Sequence, residues 1–340
     1  MRAMVIEKIV DVLQEEPLKS VDMPVPSPHQ GQLLIKVDAC GVCRTDIDEV
    51  EGRSLPSFFP IIPGHQVIGR IVEAKNSSKL KTGERVGVGW IYKSCGKCKY
   101  CNEGYENLCD FFQATGRDAH GGYAEYIVAY EDFVYKIPES FSDVEAAPLL
   151  CAGAIGWRSL RLTGIKQSDV IGLYGFGASG HIVIQIVKCL YSETKIFVFT
   201  RSKKEQNLAL QLGAGWAGEI TDRPPEFLDV AIDTTPAWFS VLAALKNLKK
   251  GGRLVINAIR KENHDRQVMK EIEYETHLWM EKEIKSVANV SRRDIAEFLQ
   301  IAANIPIKPH ITTYSLKDAN QALKDLKTGT IPGAKVLVMD

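Results

Sequence analysis

Four of the chain's eight cysteines crowd into one short segment, CGKCKYCNEGYENLC, where Cys95, Cys98, Cys101 and Cys109 follow the spacing C-x2-C-x2-C-x7-C. Two residues between thiolates let a turn bring both sulfurs to one ion at about 2.3 Å. Four such ligands make a closed tetrahedral site with no position for water, the structural type of zinc site. It would tie down a loop too poor in apolar residues to hold itself. An iron–sulfur cluster or paired disulfides are the rivals. Ferredoxin spacing usually ends in Cys-Pro, and here Asp110 follows Cys109.

A second donor set is scattered along the chain. Cys43 lies in DACGVCRTD, His65 in IPGHQVIG and Cys151 in PLLCAGAIG. Two thiolates and one imidazole match the open zinc site whose fourth position is left for water or substrate. Taken singly, each has a plainer reading: a small buried hydrophobe for the cysteines, a hydrogen-bonded surface or core residue for the histidine.

The third feature is GFGASG, Gly175 to Gly180, which follows the apolar strand VIGLY and opens a helix. In that context Gly175 permits a tight turn, Gly177 lets backbone approach a pyrophosphate, and Gly180 allows close helix–strand packing. Ala178 and Ser179 complete the turn, and the phosphates would rest on the positive end of the helix. An NAD enzyme usually places an acidic residue about 20 positions further on, for the adenine ribose. The strand KIFVFT ends instead in Thr200, Arg201 and Ser202, followed by Lys203 and Lys204. Hydroxyls and basic groups without a carboxylate suit a 2′-phosphate, so NADP is favoured over NAD. The plainer reading of the basic residues is the solvated start of a helix.

The elements around these features fall into two styles. Residues 1 to about 150 read as short strands (LLIKVDACGVC, HQVIGRIVEA, ERVGVGW, YAEYIVA) separated by Gly- and Pro-rich turns, an antiparallel, barrel-like pattern. From about 153 strands and helices alternate: VIGLYGF, SGHIVIQIVKCL, KIFVFT, KKEQNLALQLG, LDVAIDTT, WFSVLAALKNLKK and GRLVINAI. Such alternation predicts βαβ units and a doubly wound parallel sheet of α/β class. Two further helices, RRDIAEFLQIAANI and LKDANQALKDLKTG, lead to a closing strand, AKVLVMD. The expected plan is a discontinuous catalytic domain, 1–152 and 288–340, interrupted by a dinucleotide-binding domain at 153–287.

Composition limits the function classes. The 340 residues suit two cores, and 42 basic residues balance 42 acidic ones, so no overall field draws the chain to nucleic acid or an anionic membrane. No apolar run reaches the roughly 18 residues of a membrane span. The charged start MRAMVIEKIVDVL has no signal-peptide core, which points to a cytoplasmic address.

Taken together, GVCRTD, PGH, the four-cysteine loop, HGGYAEY, PLLCAG and GFGASG occur in the order of the zinc-dependent alcohol dehydrogenases of the medium-chain dehydrogenase/reductase family, which the whole chain resembles. The resemblance implies a GroES-like antiparallel β-barrel catalytic domain beside a Rossmann domain, and two zinc ions per chain, one catalytic and one structural. It implies Cys43, His65 and Cys151 as the catalytic zinc ligands, Asp46 holding the second ring nitrogen of His65, and Thr45 passing on the substrate proton. Arg44 and Lys335 would contact the pyrophosphate, Lys335 where the family often has Arg. Trp90 matches a position lining the substrate pocket. Three positions depart from the family's common pattern: Gln66 stands for a carboxylate, Asp48 for a proton-relay histidine, and Ile155 for a threonine near the nicotinamide.

The implied activity is reversible hydride transfer between a primary aliphatic or aromatic alcohol, or its aldehyde, and NAD(P). The partner is then a small molecule, and the assembly a homodimer or homotetramer. A polyol or other secondary-alcohol dehydrogenase is the alternative, and a non-catalytic nucleotide-binding zinc protein the third reading. Trp157, Cys40 and Cys189 read as packing residues, and KENHDRQ as a solvated loop.

Overall fold

The structure is a computed structural model that describes residues 1–74, 79–329 and 331–339. The chain divides into two compact units. One holds Met1–Ala154, Val290–Asn304 and the C-terminal segment from Pro309; the other holds Ile155–Asn289 and Ile305–Lys308.

In the first unit the organising element is the strand Gln32–Val42, whose sequence QLLIKVDACGV is buried along most of its length. It pairs antiparallel with Gln66–Glu73 on one side; on the other, Tyr126–Tyr130 takes its first half and Ala334–Val338 its second. Arg85–Val88 and Val134–Lys136 extend one end of the sheet, and Ile311–Ser315 the other, in parallel with Ala334–Val338. The antiparallel expectation therefore holds for every pair of this sheet but that last one. The pairings among the described residues trace a path from Ile311–Ser315 to Val134–Lys136, with Tyr126–Tyr130 paired to it from the side. A hairpin of Arg2–Ile6 with Leu18–Asp22 was not legible, because the opening residues carry charges between their apolar positions.

The second unit is the doubly wound part. Six strands lie parallel in the order Trp216–Gly218, Lys195–Phe199, Val170–Tyr174, Leu228–Asp233, Leu248–Ile256 and Glu283–Ser286. The strand that leads to the glycine motif, VIGLY, is buried at all five positions, as a parallel strand covered on both faces must be. The next two strands in the chain are laid on one side of it and the following three on the other, so the winding reverses beside it, the point at which sheets of this kind bind ligands. Tyr174 stacks on Phe199 with ring centroids 4.1 Å apart, fixing those two strand ends together.

Three expectations need correction. The helix read over WFSVLAALKNLKK stops at Asn247, and LKK already belongs to the strand Leu248–Ile256, where Leu248 pairs with Leu228. Cys189 is not a core residue: it is exposed on the helix Gly180–Leu190. KENHDRQ is not simply solvated, since the Lys261 side chain is 6% exposed and Asp265 is buried. No helix among the described residues is long and apolar enough to cross a membrane.

Candidate active site and metal centres

Cys43 follows the central strand directly and begins a short helix, Arg44–Val50, as its N-cap. Its sulfur accepts from the Thr45 N–H at 3.3 Å, and its own N–H donates to Asp46 Oδ2 at 2.7 Å. The cap therefore fixes Thr45 and Asp46 relative to the thiol, using the reciprocal pattern normally built from Ser and Glu. His65 arrives from a separate segment. Gly64, just before it, has φ +95°, and a Cβ there would sit 2.3 Å from the Tyr123 ring, so only glycine fits.

These pieces converge. His65 Nε2 lies 3.3 Å from Cys43 Sγ, and the ligand atoms of Cys43, His65 and Cys151 are mutually within 4.8 Å. The Cys151 thiol donates to Cys43, and with His65 beside it this draws the Cys43 thiol down to about 5. Two sulfurs and one nitrogen at these separations fit one zinc ion, with a fourth position left over. The other ring nitrogen of His65 lies 3.3 Å from Asp46 Oδ1, both groups fully buried and neither atom hydrogen-bonded elsewhere. Asp46 Oδ2 also accepts the Tyr123 hydroxyl at 3.1 Å.

Two residues of this centre were missed by sequence reasoning. Tyr123 lies inside HGGYAEY, quoted only for its resemblance, and it orients Asp46 from below. Glu49, one helical turn beyond Asp46, is fully buried with neither carboxylate oxygen hydrogen-bonded. Burial, then the nearby Asp46, pushes its carboxyl well above the ordinary range. The signal available was the three-residue helical spacing from Asp46. Gln66 is buried too, its amide nitrogen without a partner. Asp48 is engaged by Arg53, Nε to Oδ1 at 2.6 Å.

The four-cysteine loop is a separate cluster. Cys98 Sγ lies 3.6 Å from Cys101 Sγ, and Cys95 Sγ 3.9 Å from it. Thiolates on one zinc at about 2.3 Å stand roughly 3.8 Å apart, so the cage has the right size. All eight cysteines are unpaired, which sets the disulfide reading aside. Backbone N–H groups, first that of Lys97 and then that of Cys98, lower the Cys95 thiol to about 6, while burial lifts Cys109 to about 11. Arg292 anchors the loop from a distant helix through Glu106, at 2.6 Å. Trp90 is buried between Phe112 and the Arg117 guanidinium, and its indole nitrogen has no hydrogen-bond partner.

In the second unit the glycine turn has the form a dinucleotide needs. Gly175 has φ +84°, a Cβ on Gly177 would meet nothing within 4 Å, and one on Gly180 would lie 2.9 Å from the Gly175 carbonyl. Backbone is thus open at Gly177 and tightly packed behind it. At the end of the next strand the Thr200 hydroxyl donates to Glu205, and Ser202 caps the helix Lys203–Gln211. Glu205 is an acidic residue near this position that sequence reading passed over, because it lies beyond the usual offset. Arg201 is exposed. In the first unit Arg44 is exposed, whereas the Lys335 ammonium is buried and donates to the carbonyls of Ile331 and Gly333.

The family model described as the alcohol dehydrogenase GroES-like domain matches residues 29–139. The "Probable alcohol dehydrogenase AdhA" of Mycobacterium tuberculosis is 42% identical over 329 residues, 95% of this chain and 93% of that protein. An alcohol dehydrogenase of Geobacillus stearothermophilus is 32% identical over 347 residues, 99% and 98% of the two chains. The structure described as CAD from Helicobacter pylori complexed with NADP(H) superposes with a TM-score of 0.87 at 24% identity, covering 99% of this chain and 97% of that one. With both donor clusters and the glycine turn formed, and relatives matching nearly end to end, the chain belongs to the zinc-type medium-chain alcohol dehydrogenases and is an NAD(P)-dependent oxidoreductase.

Proposed function

We propose that this enzyme interconverts primary aliphatic or aromatic alcohols and their aldehydes, with NADP as the preferred coenzyme. The observation that carries the chemistry is the convergence of Cys43, His65 and Cys151 on one point, with Asp46 behind the imidazole. Zinc bound there supplies a Lewis acid that lowers the pKa of a coordinated hydroxyl. Asp46 fixes the ring of His65 so that Nε2 faces the ion, the orienting role that carboxylates play behind metal-bound histidines. Thr45, held by its N–H on Cys43, is the group proposed to take the alcohol proton. Asp48 already serves Arg53, so an onward relay through it has to share that carboxylate.

The four-cysteine loop would hold the second, structural zinc. On the coenzyme side, Gly175, Gly177, Ala178, Ser179 and Gly180 are the proposed pyrophosphate contacts, joined by exposed Arg44, whereas the Lys335 ammonium is already taken up by the carbonyls of Ile331 and Gly333. Exposed Arg201 and the Ser202 hydroxyl support a 2′-phosphate, whereas Thr200 is buried with its hydroxyl on Glu205; the solved relative that carries NADP(H) agrees in fold. The Glu205 carboxylate opposes that choice and is partly answered by the Thr200 hydroxyl. A cytoplasmic homodimer or homotetramer is the expected assembly, and eight unpaired thiols are at home in a reducing compartment.

The test is a panel of primary, secondary and polyol substrates assayed with each coenzyme. Primary alcohols with NADP are expected to give the highest kcat/KM. Arg201→Asp is expected to move preference toward NAD by about tenfold, the loss of one charged contact to phosphate. Unchanged preference in that variant counts against NADP, and a secondary-alcohol optimum counts against the substrate class.

A further inference from the structure

The segment after the fifth strand of the parallel sheet carries a buried cation that the proposed chemistry does not use. Lys261 donates to Asp233, to the Thr235 carbonyl at 2.8 Å and to the Ala237 carbonyl at 2.9 Å. All three ammonium hydrogens are thereby satisfied, and the side chains of Lys261 and Asp233 are 6% and 0% exposed. Asp233 is the last residue of the strand Leu228–Asp233, and it also accepts from the Thr235 N–H at 2.9 Å and the Ser240 hydroxyl at 3.0 Å. The rest of the segment clasps the same loop: Glu262 N–H donates to the Pro236 carbonyl at 2.7 Å, and Asp265 accepts from the N–H groups of Trp238 and Phe239.

That loop touches the glycine turn. Thr234 donates through its N–H and its hydroxyl to the Tyr174 carbonyl, just before Gly175. A Cβ on Gly175 would lie 2.6 Å from Thr234 Oγ1 and 3.1 Å from Thr235 Cγ2. The loop is therefore the wall against which the turn is packed, at the reversal point of the sheet where ligands of such folds bind. A plain surface connection would not need a buried ammonium. A lysine taken out of water is costly unless every donor is met, and it is retained here by two backbone carbonyls as well as by its carboxylate.

We propose that Lys261 is a positioning residue for the dinucleotide: by drawing in the Thr235 and Ala237 carbonyls it sets the loop that holds the Gly175–Gly177 backbone in its phosphate-receiving shape. This rests on the reading of the glycine turn as the coenzyme site. Lysine suits the task because three hydrogens radiate from one atom toward three acceptors, whereas the planar fork of arginine matches a carboxylate and not this convergence.

The experiment measures NADP and NAD dissociation constants by quenching of intrinsic fluorescence, alongside melting temperature, for the zinc-loaded protein and three variants. Lys261→Met leaves Asp233 buried and unpaired, so a fall in both melting temperature and affinity is expected. Lys261→Met combined with Asp233→Asn removes both charges, and its melting temperature is expected to recover while dinucleotide binding stays at least tenfold weaker than the parent's. Lys261→Arg, which keeps the ion pair and the fold, is expected to bind about threefold to tenfold more weakly. The proposal is overturned if the doubly neutral variant regains parental affinity, or if the Arg variant binds like the parent. If the parent itself binds neither dinucleotide, it is the coenzyme-site reading that fails instead.

Discussion

The two cysteine clusters use the same chemistry and are built in opposite ways. The four-sulfur loop draws all its ligands from one short segment, with two thiols half-exposed and local N–H groups supporting them. The three-ligand centre gathers Cys43, His65 and Cys151 from separate segments and surrounds them with buried polar groups: Asp46, Glu49 and the Tyr123 hydroxyl. Around a metal ion the first would close all four positions and could only hold a loop together. The second would leave one position open, and some of its buried polar neighbours have no partner. Both Glu49 oxygens and the Gln66 amide nitrogen are left without partners, which marks where the fold has been arranged for a ligand rather than for itself.

This difference can be broken or sharpened by substitution. Cys43→Ala is expected to remove one of two zinc equivalents and lower turnover by about a thousandfold, the loss of several kcal/mol of Lewis-acid assistance. Metal analysis and steady-state rates check it; parental turnover would sink the assignment. Cys98→Ala is expected to remove the other equivalent and lower the melting temperature by about 5–10 °C, with a much smaller effect on the rate of the protein still folded. If it instead silences the enzyme at temperatures where circular dichroism is unchanged, the loop is more than a brace. Asp46→Asn is expected to weaken retention of the catalytic zinc by about 10–100-fold, read as the rate of metal release to a chelator. The structural zinc should leave at its usual rate, and equal release from both sites would erase the distinction. Tyr123→Phe deletes a single hydrogen bond to Asp46, so only about 1 kcal/mol is at stake and turnover should fall less than tenfold.

How much of this was legible depended on whether the signal was local. The cysteine spacing and the glycine motif are short, and the structure places their atoms where the spacing implies. Strand–helix alternation carried the parallel sheet for the same reason, because each buried strand is a continuous apolar run. The edge strand Glu283–Ser286 left no such trace, being exposed at every position. Glu49 and Lys261 were invisible for a different reason. Their charged side chains look like solvated surface, and only the fold reveals that one turn of helix and one loop crossing have carried them inside. Tyr123 was in view but without a role, since the partner that gives it one lies in the segment around Asp46.

Cys43 has a consequence that reaches past its role as a ligand. The same sulfur starts the helix on which Thr45 and Asp46 ride, so damage to it is not confined to one bond. An oxidant that converts this thiolate to a sulfenic or sulfinic acid would take away a metal ligand and loosen the first helical turn in the same event. Hydroxyl, carboxylate and imidazole would lose their alignment together. The centre is thus built to fail all at once, and a metal bound there would, by occupying the sulfur, also shield it from oxidants.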